Sequence, residues 1–319
     1  MRILWLVLIV TTLFFFPTKV KAKGEVLGIH VLSTNEVKTA AKLFEKEMPS
    51  SHYITIPFTL EELNHKQKWQ DFLNQCSDLK LVPIIRLATR FESGSWQIPT
   101  RKDIMSFSAF FADLDWKREE LILVLFNEPN HKAEWGGKID PIGFADITKF
   151  ALDWFHTDSK KYVILPAGLD LAAPNGKTTM EAFDFWRQAV LRDPGIFDKL
   201  DGWTSHSYPN PGFAGSPYRT DKLSLRGFVH ELNFIRRYTV KSLPVYITET
   251  GWDSFAIKSK NLNNYYRTAY RSVWNDERIR AVTPFLLQGS PGMFSAFSFL
   301  DALGRPTQAY VAYRNLLNL

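Results

Sequence analysis

The chain has 319 residues, of which 45% are hydrophobic, 14% aromatic and 23% charged, and it contains a single cysteine. These fractions are typical of a globular protein with a large core, and they exclude disordered, collagen-like and disulfide-stabilised chains. The formal net charge of +6 at pH 7 is small for this length and does not by itself indicate a nucleic-acid-binding protein.

The amino terminus has the pattern of a cleaved export signal. Arg2 precedes an apolar run over residues 3–16, and Pro17 ends that run. Signal peptides contain about 7–15 such residues, whereas a membrane-spanning helix needs about 17–25. We therefore expect residues 1–22 to be removed and residues 23–319 to be secreted or to reside in the cell envelope, without a membrane partner. The alternative is a retained segment that anchors the protein to a membrane.

Eight short apolar runs alternate with amphipathic helical stretches along the rest of the chain. Their starts are separated by 27 to 43 residues, which leaves room for a helix in each connection. Apolar runs with long connections are typical of parallel strands covered by helices. The eight runs are residues 25–32, 52–59, 81–89, 121–127, 162–169, 201–208, 244–250 and 280–288.

Capping residues mark three of the helix starts. Ser33 and Thr59 are each followed three positions later by a glutamate, which matches a capping box. Asp140 and Pro141 place a cap and a first-turn proline before residues 142–155. Eight strand–helix units of this size predict an α/β fold, a single (β/α)8 TIM barrel formed by the mature chain. The alternative is an open doubly wound sheet, but the chain lacks the Gly-rich phosphate turn usual after an early strand.

The fourth predicted strand ends on an acidic motif. Residues 121–126 are all apolar, and Asn127-Glu128-Pro129 follows them directly. Active sites of (β/α)8 barrels lie at the carboxyl ends of the strands, so Glu128 is expected at the barrel mouth. Proline disfavours helical geometry in the residue before it, and we therefore expect Glu128 to be extended.

The seventh predicted strand places a second glutamate at the same end. Val245, Ile247 and Glu249 share one face by the two-residue period of a strand, which predicts that Glu249 lies in line with the barrel-filling side chains. A buried carboxylate needs a basic partner, and Arg86 in the apolar third strand is a candidate. A structural ion pair is the alternative role for either glutamate, and a helix cap is a further alternative for Glu128.

Two glutamates at the mouth suit glycoside hydrolysis, in which one carboxyl group protonates the leaving group and the other stabilises an oxocarbenium-like centre. Asn127-Glu128-Pro129 and the Glu249-Thr-Gly-Trp motif resemble those of the clan A glycoside hydrolases, retaining (β/α)8 enzymes of cellulase-like and β-xylosidase-like families. The resemblance implies that Glu128 is the acid/base, that Glu249 is the nucleophile and that Asn127 bonds the sugar 2-hydroxyl. It also implies hydrolysis of β-glycosidic bonds in a poly- or oligosaccharide.

Further substrate-binding residues are expected at other strand ends. His206 and Tyr208 end the sixth strand on one face and resemble the clan residues that position the nucleophile and contact the substrate; the alternative is a packed core pair. Arg86 is included as the partner of Glu249. His30 ends the first strand and either lines the sugar site or has a core or capping role.

Three tryptophans that follow predicted strands are candidate stacking platforms, because flat pyranose faces pack on indoles. They are Trp96, Trp135 and Trp252. Many clan members have another tryptophan after the eighth strand; here Gln288, or one of Phe294, Phe297 and Phe299, is expected to replace it. Side chains in helical patterns are expected to be core residues, namely Trp69, Trp154, Trp186, Trp274 and Cys76.

Other functions have less support in the sequence. The histidines are scattered and no metal-ligand or serine-hydrolase motif is present, so we expect no metal and no cofactor. Cleavage of the signal, which holds three basic and no acidic residues, lowers the charge from +6 to +3 and weakens the case for nucleic acid. We expect a monomer. A non-catalytic sugar-binding barrel and a transglycosylase with the same site remain open.

Overall fold

The computed structural model describes residues 26–45 and 51–318. The predicted export signal, residues 1–22, lies outside the described residues. Within the described ranges, every helix is too short or too polar to span a bilayer.

The described chain contains ten strands, eight of which form a parallel barrel. The strands are β1 (Gly28–His30), β2 (His52–Phe58), β3 (Leu81–Leu87), β4 (Phe91–Glu92), β5 (Ser95–Trp96), β6 (Leu121–Leu125), β7 (Tyr162–Leu165), β8 (Trp203–Ser205), β9 (Val245–Ile247) and β10 (Ile279–Val282). Strands β4 and β5 pair as an antiparallel hairpin outside the barrel. Each barrel strand ends one to six residues before its predicted end, because the chain leaves strand geometry at the mouth.

Hydrogen bonds close the barrel at the two places where the strand ladder is interrupted. The neighbours around the barrel follow chain order, β1-β2-β3-β6-β7 and β8-β9-β10. Between β7 and β8, the Ile164 N–H donates to the Asp201 carboxylate at 2.9 Å. Between β10 and β1, the Val282 N–H donates to the Val26 carbonyl at 2.7 Å. The barrel is therefore closed, which confirms the predicted fold and excludes the open doubly wound sheet.

Helices surround the barrel in the alternation that the sequence predicted. They are α1 (Val37–Lys42), α2 (Lys66–Asp78), α3 (Arg101–Ala112), α4 (Pro141–Phe155), α5 (Ala182–Arg192), α6 (Gly227–Ile235), α7 (Ser259–Ala269) and α8 (Gln308–Arg314). A π-helical segment, Tyr270–Trp274, continues α7, and short 3-10 turns fill several connections. The helices cover the outer face of the barrel strands and leave their carboxyl ends open to the mouth.

Two of the three predicted caps are present. Ser33 and Glu36 form a capping box, although it begins a 3-10 turn that leads into α1. The Asp140 carboxylate accepts from a first-turn N–H of α4. The prediction of a capping box at Thr59 was wrong, because the Thr59 side chain makes no capping hydrogen bond. The Glu62 carboxylate instead accepts hydrogen bonds from Lys68 and Trp69 of α2.

The apolar side chains form two separate cores. A small cluster fills the barrel interior and consists of Val82, Ile84, Ile122, Val124, Leu165, Tyr246 and Ala281. A much larger cluster lies between the strands and the helices and contains the expected Trp69, Cys76, Trp186 and Trp274. Trp154 was wrongly expected in the core: it is 36% exposed and stacks on Phe150 on the outside of α4.

Candidate active site

Glu128 lies in a turn directly after β6. The backbone φ is +71° at Phe126 and +29° at Glu128, so the expectation of an extended Glu128 was wrong. Pro129 disfavours the right-handed helical region, and the chain takes the left-handed region instead. The Glu128 N–H donates to the Gly168 carbonyl at 3.0 Å, which ties this turn to the loop after β7. Such strain costs on the order of 1–3 kcal/mol per residue and is often found at functional sites.

Glu249 reaches the mouth by a different route from the predicted one. Val245 and Ile247 face the outer core, whereas Tyr246 between them faces the barrel interior. The prediction that Glu249 shares a face with barrel-filling side chains was therefore wrong, because strict alternation would point it towards the helices. The chain instead bends after β9, and hydrogen bonds of Thr250 with the loops after β8 and β10 hold the bend across the mouth.

The two glutamates meet around a buried histidine. A carboxylate oxygen of Glu128, one of Glu249 and a ring nitrogen of His206 lie within 4.8 Å of one another. His206 Nδ1 is 2.8 Å from Glu128 Oε1 and 3.9 Å from Glu249 Oε2. The Tyr208 hydroxyl donates to Glu249 Oε2 at 3.2 Å. The end of β8 therefore contacts both carboxyl groups at once.

Positive charge surrounds the Glu249 carboxyl. Burial by itself raises its pKa, but His206 and Arg86 outweigh burial and hold the pKa below its usual range. The Arg86 guanidinium lies 3.7 Å from Glu249, which is the partnership expected from the sequence. Burial lowers the pKa of His206, but the two glutamates raise it above the ordinary value. Burial also lowers the pKa of His30, which lies 3.9 Å from Glu249, to about 3, so this ring is neutral at pH 7.

The glutamate pair lies in a cavity of about 650 Å³ at the barrel mouth. Side chains from all eight barrel strands or the loops that follow them line this cavity. Its size is that of a small-ligand site, about 300–1,000 Å³. Asn127, Arg86 and Tyr208 line it beside both glutamates. The aromatic part of the wall consists of Trp96, Phe126, Tyr208, Phe213, Phe285, Phe294 and Phe297.

Two of the three predicted tryptophan platforms are buried. Trp96, half-buried on β5, lines the cavity. Trp135 borders the cavity but has no exposed surface, since its ring packs against Phe126 and Phe144. Trp252 is 1% exposed, and its indole N–H donates to a backbone carbonyl. The platform role was therefore wrong for Trp135 and Trp252, because their side chains are part of the outer core.

Of the remaining residues predicted to bind substrate, some line the cavity and others do not. His30 is fully buried, with its ring edge-on to Phe285, so it lies behind the cavity wall and not in it. Gln288 is half-buried but does not line the cavity. Phe294 and Phe297 from the same segment do line it, so phenylalanines occupy the wall after β10.

Sequence reasoning missed Glu134, a third glutamate of the cavity. Burial raises its pKa to about 7, against the opposing effect of Arg86 and with the support of Glu128. In the sequence, Glu134 precedes Trp135 in the loop after Glu128, and the prediction assigned the functional role to the Trp135 indole. The structure shows the opposite arrangement: Trp135 is buried and anchors the loop, whereas Glu134 lines the cavity.

Glu128, His206 and Glu249 also form the one group of potential metal ligands that comes together in the described part of the chain. Arg86, 3.7 Å from Glu249, opposes the binding of a cation at this position. The arrangement is better suited to proton transfer and nucleophilic attack.

No protein-family model and no curated protein sequence matches the chain. Solved structures do match its fold. A GH5_18 variant from Streptomyces cattleya in complex with Manβ1-4GlcNAc is 11% identical, with a TM-score of 0.64 over 92% of this chain and 80% of that chain. The endoglucanase Cel5A from Pseudomonas stutzeri is 13% identical, with a TM-score of 0.57 over 92% and 94% of the two chains.

A third similar structure is a GH128 (subgroup II) endo-β-1,3-glucanase from Pseudomonas viridiflava. It is 14% identical and has a TM-score of 0.54, over 92% of this chain and 98% of that chain. At such identities the likeness shows the fold. It confirms the (β/α)8 barrel and, at the level of the fold, the resemblance to clan A glycoside hydrolases that the two motifs predicted.

Proposed function

We propose that the protein is a retaining glycoside hydrolase that cleaves β-glycosidic bonds of a poly- or oligosaccharide. The observation that carries the proposal is the approach of Glu128 and Glu249, whose nearest carboxylate oxygens lie within 4.8 Å in one cavity. Retaining enzymes have carboxyl groups about 5–5.5 Å apart, whereas inverting enzymes need about 6.5–9.5 Å to admit a water molecule. The close pair favours retention.

Each glutamate has surroundings that suit one role. Glu249, ionised beside Arg86 and hydrogen-bonded by Tyr208, attacks the anomeric carbon and forms a glycosyl-enzyme intermediate. Glu128 donates its proton to the departing oxygen and then takes a proton from the water that hydrolyses the intermediate. His206, in contact with Glu128 at 2.8 Å, orients the acid/base.

Residues beside the two glutamates would bind the sugar. Asn127 precedes the acid/base and lines the cavity, where it would bond the 2-hydroxyl of the sugar that is attacked. Trp96 and the phenylalanines of the wall offer apolar faces for pyranose rings. The cavity thus offers both polar groups and apolar faces to a sugar bound across the glutamate pair.

The test is a screen of the purified protein against β-glucans, mannans, xylans, galactans and the amino-sugar polymers chitin and chitosan. We expect new reducing ends on at least one of them, with the β-anomer as the first product in a proton NMR time course. An α-anomer as first product would contradict retention. Binding without new reducing ends would identify a sugar-binding barrel, and products longer than the substrate would identify a transglycosylase.

Export is part of the proposal. The apolar run after Arg2 supports removal of residues 1–22 and a secreted or cell-envelope location. Mass spectrometry of the protein recovered from its native host should show a chain that begins near residue 23. On size-exclusion chromatography this chain should elute as a monomer. Recovery of the intact amino terminus in the membrane fraction would contradict export.

A further inference from the structure

Four carboxyl groups line the catalytic cavity, and three of them have a basic partner. Glu249 lies 3.7 Å from Arg86, and Glu128 lies 2.8 Å from His206. Asp170, the third carboxyl group with a partner, is 2.9 Å from His131. The glutamates raise the pKa of His206, and Asp170 raises that of His131, so each ring takes up a proton more readily than a free imidazole does. These three pairs are close to electrically balanced.

Glu134 is the carboxyl group without such a partner. Within residues 26–45 and 51–318, it forms no ion pair within 4.0 Å, and its nearby hydrogen-bond donor is the neutral amide of Asn127. The cavity therefore holds about one negative charge in excess when Glu134 is ionised. The protein as a whole has a net charge of +6, so this excess is a property of the cavity and not of the chain.

The loop that carries Glu134 is held in place on both sides. Trp135, fully buried, anchors it to the outer core. The Gly136 N–H donates to the carbonyl of Trp96 at 2.7 Å, and the Glu134 N–H donates to the carbonyl of His131 at 3.0 Å. The Glu134 carboxyl is thus held in the wall of the cavity that Glu128 and Trp96 also line, close enough to Glu128 for the two carboxyl groups to interact electrostatically.

We propose that Glu134 is a specificity residue that binds a protonated amino group on the substrate, so that the glycan cleaved by this protein contains unacetylated amino sugars. The inference rests on the proposed glycosidase function of the same cavity. An ammonium group beside Glu134 balances the excess charge and forms a charge-assisted hydrogen bond. A neutral hydroxyl or acetamido group forms a hydrogen bond but leaves the charge of the carboxylate uncompensated in a partly buried site.

The test measures binding by calorimetry at pH 7 and low salt in a Glu249→Gln background, which prevents turnover. The probes are β-1,4-linked tetramers of glucosamine, N-acetylglucosamine and glucose. We expect the glucosamine tetramer to bind at least about tenfold more tightly than the other two, since hydrogen bonds to charged groups contribute about 1.5–3 kcal/mol. Adding Glu134→Gln should abolish the preference, and added salt should reduce it.

Glu119→Gln is the matched control, because it removes the same charge from an exposed surface ion pair with Lys161. It should leave the preference unchanged. Equal binding of the three tetramers, or a preference that survives Glu134→Gln, overturns the inference and leaves the proposed glycosidase function intact. Failure of all three to bind overturns the inference, whereas the proposed function is judged separately by the polysaccharide screen.

Discussion

Glu249 and Glu134 occupy the same cavity, but their surroundings shift their pKa values in opposite directions. Burial raises the pKa of both carboxyl groups. At the end of β9, His206 and Arg86 reverse that effect, so Glu249 stays ionised. In the loop after β6, Arg86 opposes burial only in part, and the pKa of Glu134 rises to about 7.

The difference shows that cationic neighbours, and not depth in the barrel, decide which carboxyl group carries charge. Arg86 acts on both groups, but it forms its ion pair with Glu249. A nucleophile must be ionised before the substrate arrives, whereas a binding group can be ionised by the substrate itself. Four substitutions test this contrast, from the largest expected effect to the smallest.

Glu249→Gln should have the largest effect. The amide cannot form the glycosyl-enzyme intermediate, so kcat should fall at least about 10³-fold, which corresponds to about 4 kcal/mol. Initial rates on the best substrate of the screen measure the loss, and the melting temperature shows that the variant is folded. If Glu249→Gln keeps near wild-type turnover, Glu249 is not the nucleophile.

Trp135→Ala tests whether the Glu134 loop is anchored through the outer core. Truncating a fully buried indole should lower the free energy of unfolding by about 3–5 kcal/mol, measured by urea denaturation. Trp96→Ala is the control, because Trp96 is half-buried at the cavity wall and should cost about 1 kcal/mol or less. Equal losses in the two variants would show that Trp135 is not the anchor.

Arg86→Met should change the pH profile. Removing the guanidinium takes away a charge that favours ionised Glu249, so the pKa of Glu249 should rise. The acidic limb of kcat/KM should therefore move to higher pH by about one unit, and activity should fall most at low pH. Arg86→Lys retains the charge and should move the limb less. A limb that stays in place or moves to lower pH would contradict the electrostatic role of Arg86.

Glu134→Gln should alter the pH dependence of stability by the smallest amount. The folded-state pKa of Glu134, about 7, lies above the ordinary glutamate value of 4.5, so the stability of the wild type decreases as the pH rises from about 4.5 to above 7. The variant lacks this loss, and its melting temperature should exceed that of the wild type by about 2–4 °C at pH 8 and by less at pH 4. Glu119→Gln, on the exposed surface, should show no such trend. A constant difference across the pH range would contradict the raised pKa.

The sequence determined the barrel and the positions of the two catalytic candidates along it. Strand and helix periods are local patterns, and eight of them with long connections admit few folds. Glu128 and Glu249 follow apolar strands, so a rule about strand ends was enough to place both at the mouth. The partnership of Arg86 with Glu249 also followed from local chemistry, since an arginine among aliphatic residues needs an anion.

Side-chain direction at the mouth was decided only by the tertiary structure. Beyond the strand ends the two-residue period no longer holds, as the positive φ at Glu128 and the bend before Glu249 show. Whether Trp135 or Glu134 faces the cavity depends on how the Trp135 ring packs against Phe126 and Phe144. No pattern in the sequence of the loop itself predicts that packing. The burial of a side chain and the charge balance around it depend on residues that are distant in the sequence. Both are therefore decided only when the closed barrel brings those residues together.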